Sequence, residues 1–361
     1  RLGHRRKGAS MNLDTLNLKL ADPDNMAGRI RELPMQCMEA WEKVRQLKLP
    51  ATFGEVANVA ILGMGGSAIG GDLVRTLVSP GCRVPVSVIR DYDLPGWVNA
   101  RTLVIASSYS GNTEETLCAF GQAVDRRCKL AAITTGGRLQ QAAESAKARI
   151  FKVTYEASPR AALGYSVTPL LGIFQQLGFV DDQNEAMAEA VQVMQAWQRE
   201  IGESVPTSEN AAKQMATRLA GKIVVAYGSG LLSEVARRWK GQVNENAKNW
   251  AFYESLPELN HNAVLGYANP DDLASRLAVV MLTSTTDHPR VTIRQQITAE
   301  LLRNAGVLVE WAAARGERPL AQMLSSIHFG DYVSYYLALL NGVDPTRIDA
   351  INHLKEALSA S

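Results

Sequence analysis

The sequence is poor in the residues that metal sites, disulfide frameworks and membrane spans require. Its 361 residues include only four cysteines and five histidines, and no cysteine pair has the C-x-x-C spacing of a zinc or redox site. The longest apolar runs, such as 277–282, fall far short of the ~20 residues that span a bilayer. Basic residues exceed acidic ones by only 38 − 36 = 2. We therefore expect a cytoplasmic protein without a metal, a nucleic-acid partner or a membrane partner.

Length and local composition indicate two folded domains. At roughly 150 residues per domain, this chain is long enough to bury two cores. The first ten residues, RLGHRRKGAS, are basic but lack the apolar stretch of a signal peptide, so residues 1–10 are predicted to be an unstructured extension. The predicted divisions are an N-terminal extension at 1–23, a first domain with a helical lead-in at 24–155, a helical connection at 156–215, and a second domain ending in helices at 216–361.

Short β-branched runs alternate with helical patterns in both predicted domains. The predicted strands are Asn58–Leu62, Val84–Ile89, Thr102–Ala106, Leu130–Thr134, Lys222–Ala226, Ala278–Leu282 and Val307–Trp311. The two C-terminal helices are predicted at Tyr332–Leu340 and Ile348–Leu358. Because hairpin signals are missing between the strands, the pattern predicts an α/β fold of mainly parallel sheets flanked by helices. A strand, a glycine turn and a helix occur in the same order in both halves, which indicates a duplicated unit.

A glycine cluster, GMGGSAIGG, follows the first predicted strand at residues 63–71. Backbone amides of Gly65, Gly66 and Ser67 at the start of a helix can approach an anion closely, because the glycines carry no Cβ. The same residues also suit a plain strand-to-helix turn. The spacing from Gly63 further satisfies the looser dinucleotide fingerprint, with Asp91 or Asp93 as a ribose acceptor, so an NAD-dependent dehydrogenase is an open alternative.

A second loop, SSYSGNTEET at residues 107–116, is rich in hydroxyl groups and follows another predicted strand. An ordinary helix N-cap needs one such residue, for example Ser110. Five serines and threonines around one glycine exceed that need, and a phosphate dianion accepts several charge-assisted hydrogen bonds at a helix N-terminus. We therefore predict phosphate binding by the loop's hydroxyl groups, namely those of Ser108, Ser110, Thr113 and Thr116.

Three further segments complete a family resemblance: PRAALGY at 159–165, NENAK at 244–248 and ELNHN at 258–262. With the two loops, they resemble the sugar isomerase domain family and, within it, the bifunctional phosphoglucose/phosphomannose isomerases. The resemblance runs from about residue 24 to the C-terminus. It implies two sugar isomerase domains that need no cofactor. It also implies an aldose–ketose isomerase that interconverts glucose 6-phosphate and mannose 6-phosphate with fructose 6-phosphate through a cis-enediolate.

The resemblance also assigns roles to individual residues. It makes Glu245 the base that moves a proton between C1 and C2, and His261 the group that opens the sugar ring. Arg160 corresponds to the arginine that stabilises the enediolate, and Lys355 to the C-terminal lysine beside the ring oxygen. Thr346 is a weaker match for recognition of the C2 substituent. Without the resemblance, a surface or structural position is the simpler interpretation of Glu245, His261 and Lys355, and a surface salt bridge is the alternative for Arg160.

The resemblance further implies a homodimer in which each active site takes its histidine from the neighbouring subunit. One departure from glucose-specific isomerases concerns the phosphate loop, where Tyr109 occupies the position of their lysine. This difference points to the bifunctional branch. A non-catalytic regulator of the same fold that binds sugar phosphates is the other alternative to the isomerase.

Overall fold

The computed structural model describes residues 12–270 and 272–359; the extension predicted at 1–10 lies outside these residues. The helices are α1 (Leu18–Ala21), α2 (Met26–Arg31), α3 (Leu33–Val44), α4 (Gly65–Val78), α5 (Glu114–Asp125), α6 (Gly137–Ser145), α7 (Gly164–Gln176), α8 (Asn184–Ile201), α9 (Ala211–Leu219), α10 (Ser233–Glu245), α11 (Pro289–Asn304), α12 (Pro319–Leu340) and α13 (Asp349–Ser359). The strands are β1 (Asn58–Leu62), β2 (Val86–Ile89), β3 (Thr102–Ser107), β4 (Lys129–Thr134), β5 (Arg149–Lys152), β6 (Ile223–Ser229), β7 (Ala251–Leu256), β8 (Leu277–Thr283) and β9 (Leu308–Ala313).

The first half of the chain forms a parallel sheet with the strand order β2-β1-β3-β4-β5. Alternate residues of its central strands point to opposite faces, and both faces are apolar. Val59 and Ile61 lie in the core shared with α4 and α7, whereas Ala60 and Leu62 pack with α5 and α6. The carboxyl ends of β1 and β3 therefore meet at one edge, where the glycine turn and the hydroxyl-rich loop begin.

The second half forms a four-stranded parallel sheet with the order β7-β6-β8-β9. Helices α10 and α12 cover one face of this sheet, and α11 covers the other. Helix α12 is buried along almost its whole length and also packs against α8 and α9, so it joins the second sheet to the helical connection. No helix in the described ranges is long and apolar enough to cross a membrane.

The α/β architecture with two parallel sheets confirms the predicted fold class, and all seven predicted strands are present. Two strands were missed, β5 and β7. Both are edge strands whose exposed residues interrupt the apolar pattern. Helix α12 begins at Pro319, 332 − 319 = 13 residues before the predicted start. Its N-terminal half carries buried polar residues such as Ser325 and His328. These residues interrupt the apolar pattern from which a buried helix is predicted.

Candidate active site

The turn after β1 is built for close backbone contact. Gly65 opens α4 with φ of 50°, a left-handed conformation that favours glycine. A Cβ on Gly66 would lie 3.0 Å from the Pro159 carbonyl carbon and oxygen and 3.1 Å from the Arg160 nitrogen. Among the described side chains, none caps the N-terminus of α4. The glycines therefore let the segment that carries Arg160 approach the start of α4.

The hydroxyl-rich loop lies directly against this turn. The Tyr109 amide donates to Ser67 Oγ at 3.1 Å, and the hydroxyl groups of Ser108 and Thr113 are 2.9 Å apart. Thr113 is the N-cap residue of α5, but neither its side chain nor any other described side chain caps the helix. The alternative that Ser110 is an ordinary N-cap is therefore wrong, because its Oγ accepts instead from the amide of Asn112 at 3.2 Å.

The remaining members of the predicted phosphate set differ in exposure. Ser110 is exposed, Thr113 is half-buried, and Ser67 and Ser108 are buried. Thr116 is also buried, and its Oγ1 has no hydrogen-bond partner among the described residues. The Tyr109 hydroxyl accepts from the Ala157 amide at 2.9 Å and donates to the Tyr155 carbonyl. Tyr109 therefore anchors the loop to the segment before Arg160 rather than replacing a phosphate-binding lysine.

Arg160 lies at the centre of the candidate site, in the short 3-10 turn Pro159–Ala161. Its side chain is only 3% exposed. Its Nε donates to Asn246 Oδ1 at 2.8 Å, and its Nη2 donates to the carbonyls of Pro345 and Thr346 at 2.7 and 2.9 Å. Burial lowers the pKa of the guanidinium from its ordinary value, an effect that the nearby Glu245 opposes. Besides its three hydrogen-bond acceptors, Arg160 contacts the carboxylate of Glu245.

Glu245 is the last residue of α10, and its Oε2 lies 3.5 Å from Arg160 Nη1. Its side chain is 34% exposed, so it can meet both the arginine and a ligand. The next residue, Asn246, is buried and also donates to Ser334 Oγ at 3.0 Å. This contact with α12 holds the end of α10 in place. The structure thus brings together two predicted catalytic residues that are 85 positions apart (245 − 160) in the sequence.

A cleft of about 360 Å³ opens between the start of α4 and the second half of α10. The carboxylate of Glu245 shares this cleft with a group of cations: Arg90, Arg160, Arg237, Arg238 and Lys240. Sequence reasoning identified only one of these five. The run RRWK at 237–240 precedes Glu245 on the same helix and was the available signal for three of them. Such a cleft is suited to an anionic ligand.

Two of these arginines belong to an ion-pair network between the two halves of the chain. Arg90 pairs with Asp72, and Arg237 lies 3.6 Å from the same carboxylate. Arg75 joins Asp72 to Glu234 on α10, at 2.7 Å from the latter. The network therefore fixes α10 against α4, which are the two helices that frame the cleft.

The C-terminal candidates are placed unequally. The carbonyl of Thr346 accepts from Arg160, and its Oγ1 is buried without a partner in the described part of the chain. Thr346 is thus adjacent to Arg160. Lys355 is exposed on α13 and is not among the described residues that line the cleft. Helix α13 begins three residues after Thr346 (349 − 346), but Lys355 lies outside the cleft.

His261 is also apart from the cleft. It ends the 3-10 turn Glu258–His261 that follows β7, and it is exposed. The asparagines on either side of His261 bond to other groups. Asn260 donates to Thr298 Oγ1 at 2.8 Å, and Asn262 donates to Glu258 Oε1 at 3.1 Å.

Comparisons with known proteins agree with this arrangement. Residues 208–358 match the family model described as a bacterial phospho-glucose isomerase C-terminal SIS domain. The chain is 41% identical to a bifunctional phosphoglucose/phosphomannose isomerase of Caldicellulosiruptor bescii, over 91% of this chain and 98% of the relative. It is 35% identical to the same enzyme of Aquifex aeolicus, over 83% of this chain and 90% of the relative. The chain belongs to the bifunctional phosphoglucose/phosphomannose isomerase family.

Solved structures confirm the fold of this isomerase family in the chain. The Escherichia coli tagatose-6-phosphate ketose/aldose isomerase superimposes with a TM-score of 0.71 at 17% identity, covering 90% of this chain and 96% of that one. The resemblance read from the sequence is therefore confirmed, and this chain is an enzyme of the isomerase class. The dehydrogenase alternative left the hydroxyl-rich loop without a role, whereas the comparisons place the chain in an isomerase family.

Proposed function

We propose that this chain interconverts glucose 6-phosphate and mannose 6-phosphate with fructose 6-phosphate, with Glu245 and Arg160 as its central catalytic pair. The observation that carries the proposal is their 3.5 Å contact at the cationic cleft. In the aldose, Glu245 takes the proton from C2 and leaves a cis-enediolate. It then returns the proton to C1 while the proton of the C2 hydroxyl passes to O1, which gives the ketose. The relatives' names supply the two hexose phosphates.

Arg160 stabilises the enediolate oxygen in this scheme. Three of its bonds go to protein acceptors, which hold the guanidinium in place before the substrate arrives. Preorganised charge of this kind stabilises a developing anion without reorganisation during the reaction. Nη1, which faces Glu245, is the nitrogen that points toward the reacting atoms. Thr346, whose carbonyl accepts from Arg160 Nη2, is the proposed contact for the C2 substituent.

The substrate phosphate is assigned to the glycine turn and the hydroxyl-rich loop. The N-termini of α4 and α5 have no side-chain caps among the described residues, and the Tyr109–Ser67 bond joins them. Uncapped amides and a helix dipole favour a dianion at this point. The candidate ligands are Gly65, Gly66, Ser67, Ser108, Ser110, Thr113 and Thr116. The site needs no metal or cofactor in this proposal.

The ring-opening histidine is proposed to come from a second subunit. Helix α10 ends at Glu245, near the start of β7. The hydrogen bond from the Ala251 amide to the Asn244 side chain, at 2.9 Å, shows this proximity. His261 follows the other end of β7. The six residues of β7 span about 20 Å, so the two residues lie at opposite edges of the sheet. A homodimer with exchanged histidines resolves this separation.

The alternative of a non-catalytic sugar-phosphate regulator is tested by activity. A coupled assay with each hexose 6-phosphate, with and without chelator, should show isomerisation of both and no effect of the chelator. Glu245→Gln keeps the shape of the side chain but removes its basicity, so kcat should fall by ~10²–10⁴. Glu254→Gln, an exposed glutamate on β7, is the matched control. A Glu245→Gln enzyme with more than about a tenth of wild-type kcat would refute the assignment.

Complementation tests the shared site. Glu245→Gln and His261→Ala subunits should each be inactive on the cyclic substrate. Co-expressed at equal amounts, they should form about half heterodimers with one intact site each, which is about a quarter of wild-type activity. His353→Ala, an exposed histidine on α13, is the control. Verified heterodimers without activity would contradict the exchange of histidines.

We also propose that the enzyme works in the cytoplasm, where its four unpaired thiols fit the reducing conditions.

A further inference from the structure

Lys240 differs from the arginines of the cleft because it lacks a partner. Each arginine lies against a carboxylate: Arg160 against Glu245, Arg238 against Asp331, and both Arg90 and Arg237 against Asp72. Lys240 lines the same cleft and is half-buried, but it has no hydrogen bond or ion pair within the residues that the structure describes. A half-buried ammonium without a counter-charge favours the binding of an anion.

The next residue, Gly241, leaves open space beside Glu245. It lies in the interior of α10, one helical turn before Glu245, and both residues line the cleft. A Cβ on Gly241 would meet no described atom within 4 Å beyond the backbone of its own helix. Glycine destabilises a helix interior relative to alanine, and here no neighbouring group requires it. The missing side chain keeps free a volume next to the carboxylate that a ligand can occupy.

This free volume lies between Glu245 and Lys240. The two residues are five positions apart (245 − 240), which is about 7.5 Å along the helix axis. Helical side chains lean toward the N-terminus of their helix, so the Glu245 carboxylate lies over the turn that contains Gly241, and Lys240 leans toward Arg237. Arg237 precedes Lys240 by one turn, and its side chain is 34% exposed. Two neighbouring cations beyond the base suit a dianion such as phosphate.

We propose that Lys240 and Arg237 form a second anion subsite, which takes the C1 phosphate of an aldohexose 1,6-bisphosphate. The proposal rests on the proposed function, which places the C6 phosphate at the glycine turn and C1 beside Glu245. A substituent on C1 then enters the volume at Gly241 and meets Lys240. The C1 phosphate ester also keeps the sugar ring closed, because C1 has no free hydroxyl from which the ring could open. The bisphosphate therefore occupies the site without reacting and inhibits the isomerase.

Titration calorimetry tests the subsite with two unreactive ligands that differ at C1. Glucose 1,6-bisphosphate carries the second phosphate, whereas 1,5-anhydroglucitol 6-phosphate has the same ring with only hydrogen there. The wild-type chain should bind the bisphosphate at least tenfold more tightly, because hydrogen bonds to charged groups are the stronger ones. Lys240→Gln should reduce this preference to about twofold or less. Lys48→Gln, an exposed lysine outside the cleft, is the control and should keep it.

Filling the free volume gives an independent test. Gly241→Leu should also remove the preference for the bisphosphate. Gly121→Leu is the matched control, since Gly121 lies in the interior of α5, outside the cleft, and its Cβ would likewise meet no described atom within 4 Å. Both variants should reach at least the wild-type Tm, because leucine is the better helix former. A lost preference at an undiminished Tm in Gly241→Leu therefore reports on the volume and not on folding.

The outcomes for the subsite and for the proposed function are separable. Equal affinity of the wild-type chain for the two ligands would overturn the subsite, as would a preference that survives Lys240→Gln or Gly241→Leu. If the preference is as expected but neither hexose 6-phosphate is isomerised, the subsite stands and the proposed function fails. If both hexose 6-phosphates are isomerised but the wild-type chain shows no preference, the proposed function stands and the subsite fails.

Discussion

Gly66→Ala should lower both activity and stability, and its comparison with Gly65→Ala tests the geometry of the site. The added Cβ would lie 3.0 Å from the Pro159 carbonyl and 3.1 Å from the Arg160 nitrogen. Ordinary contacts of a Cβ begin at 3.4 Å, so the turn that carries Arg160 must move by about 0.4 Å (3.4 − 3.0). Overpacking of this kind costs ~1–3 kcal/mol of unfolding free energy. The displaced backbone also carries the guanidinium away from Glu245.

The expected catalytic loss follows from that displacement. A misplacement of about 1 Å can cost ~10²-fold in rate, so a shift of about 0.4 Å should lower kcat close to tenfold. Gly65→Ala is the matched control because it is the adjacent residue and its Cβ would meet no atom within 4 Å. Its φ of 50° makes alanine strained by ~1 kcal/mol, so it should lose stability while Arg160 stays in place.

The measurements are thermal unfolding and steady-state kinetics of the conversion of fructose 6-phosphate to glucose 6-phosphate and of the reverse reaction. Both variants should have a lower Tm, but only Gly66→Ala should lose about tenfold in kcat. If Gly66→Ala keeps wild-type kcat and KM, the contact with the Pro159 turn does not position Arg160. If Gly65→Ala loses as much kcat as Gly66→Ala, the loss arises from the glycine turn itself and the displacement argument fails.

Two further predictions concern the cations around Glu245. Arg160→Lys should lower kcat at least tenfold, since one ammonium cannot keep the bonds to Asn246 and Thr346 and also face Glu245; a wild-type kcat in rapid-mixing assays would contradict this. Lys248 donates to the carbonyls of Glu245 and Asp344 at 2.8 and 2.6 Å, and burial followed by the charge of Arg160 lowers its pKa to about 8. Activity should therefore fall as the pH rises through 8, whereas Lys248→Arg should remove this decline. Stability should move the other way and rise between pH 8 and about 10.5, because the folded chain binds fewer protons than the unfolded chain there; a parallel fall of stability and activity would refute this reading.

The central strands could be predicted from local sequence patterns, whereas the proposed catalytic pair could not. Strands β1, β3 and β4 are buried on both faces, so each reads as a continuous apolar run between turn residues. β7 escaped because Phe252, Tyr253 and Glu254 are exposed at the edge of the sheet, where no apolar alternation is required. Glu245 and Arg160 were assigned only through family resemblance, since an isolated glutamate or arginine carries no local pattern.

The contacts that complete the cleft were beyond local sequence patterns because they join distant segments. The partners of Lys248 at residues 344 and 345 are 96 and 97 positions away. Arg75 and its partner Glu234 are 159 positions apart. Spacing rules describe neighbours on one helix or strand, and they do not show which charged residues are brought together when the two halves of the chain pack. Three-dimensional packing was needed to show that five cations share one cleft.

A buried ion pair links the core of the protein to its candidate site. Arg238 donates to both carboxylate oxygens of Asp331, at 3.2 and 3.0 Å, and to the Arg160 carbonyl at 2.7 Å. Gln242 completes the arrangement by donating to Asp331 at 2.8 Å. Because desolvation offsets most of the attraction, a buried pair of this kind adds little to net stability. The ion pair instead fixes positions. Asp331 on α12 holds Arg238 on α10, and Arg238 also holds the backbone of Arg160. The rigidity of the long buried helix is thereby transmitted to the guanidinium that faces Glu245.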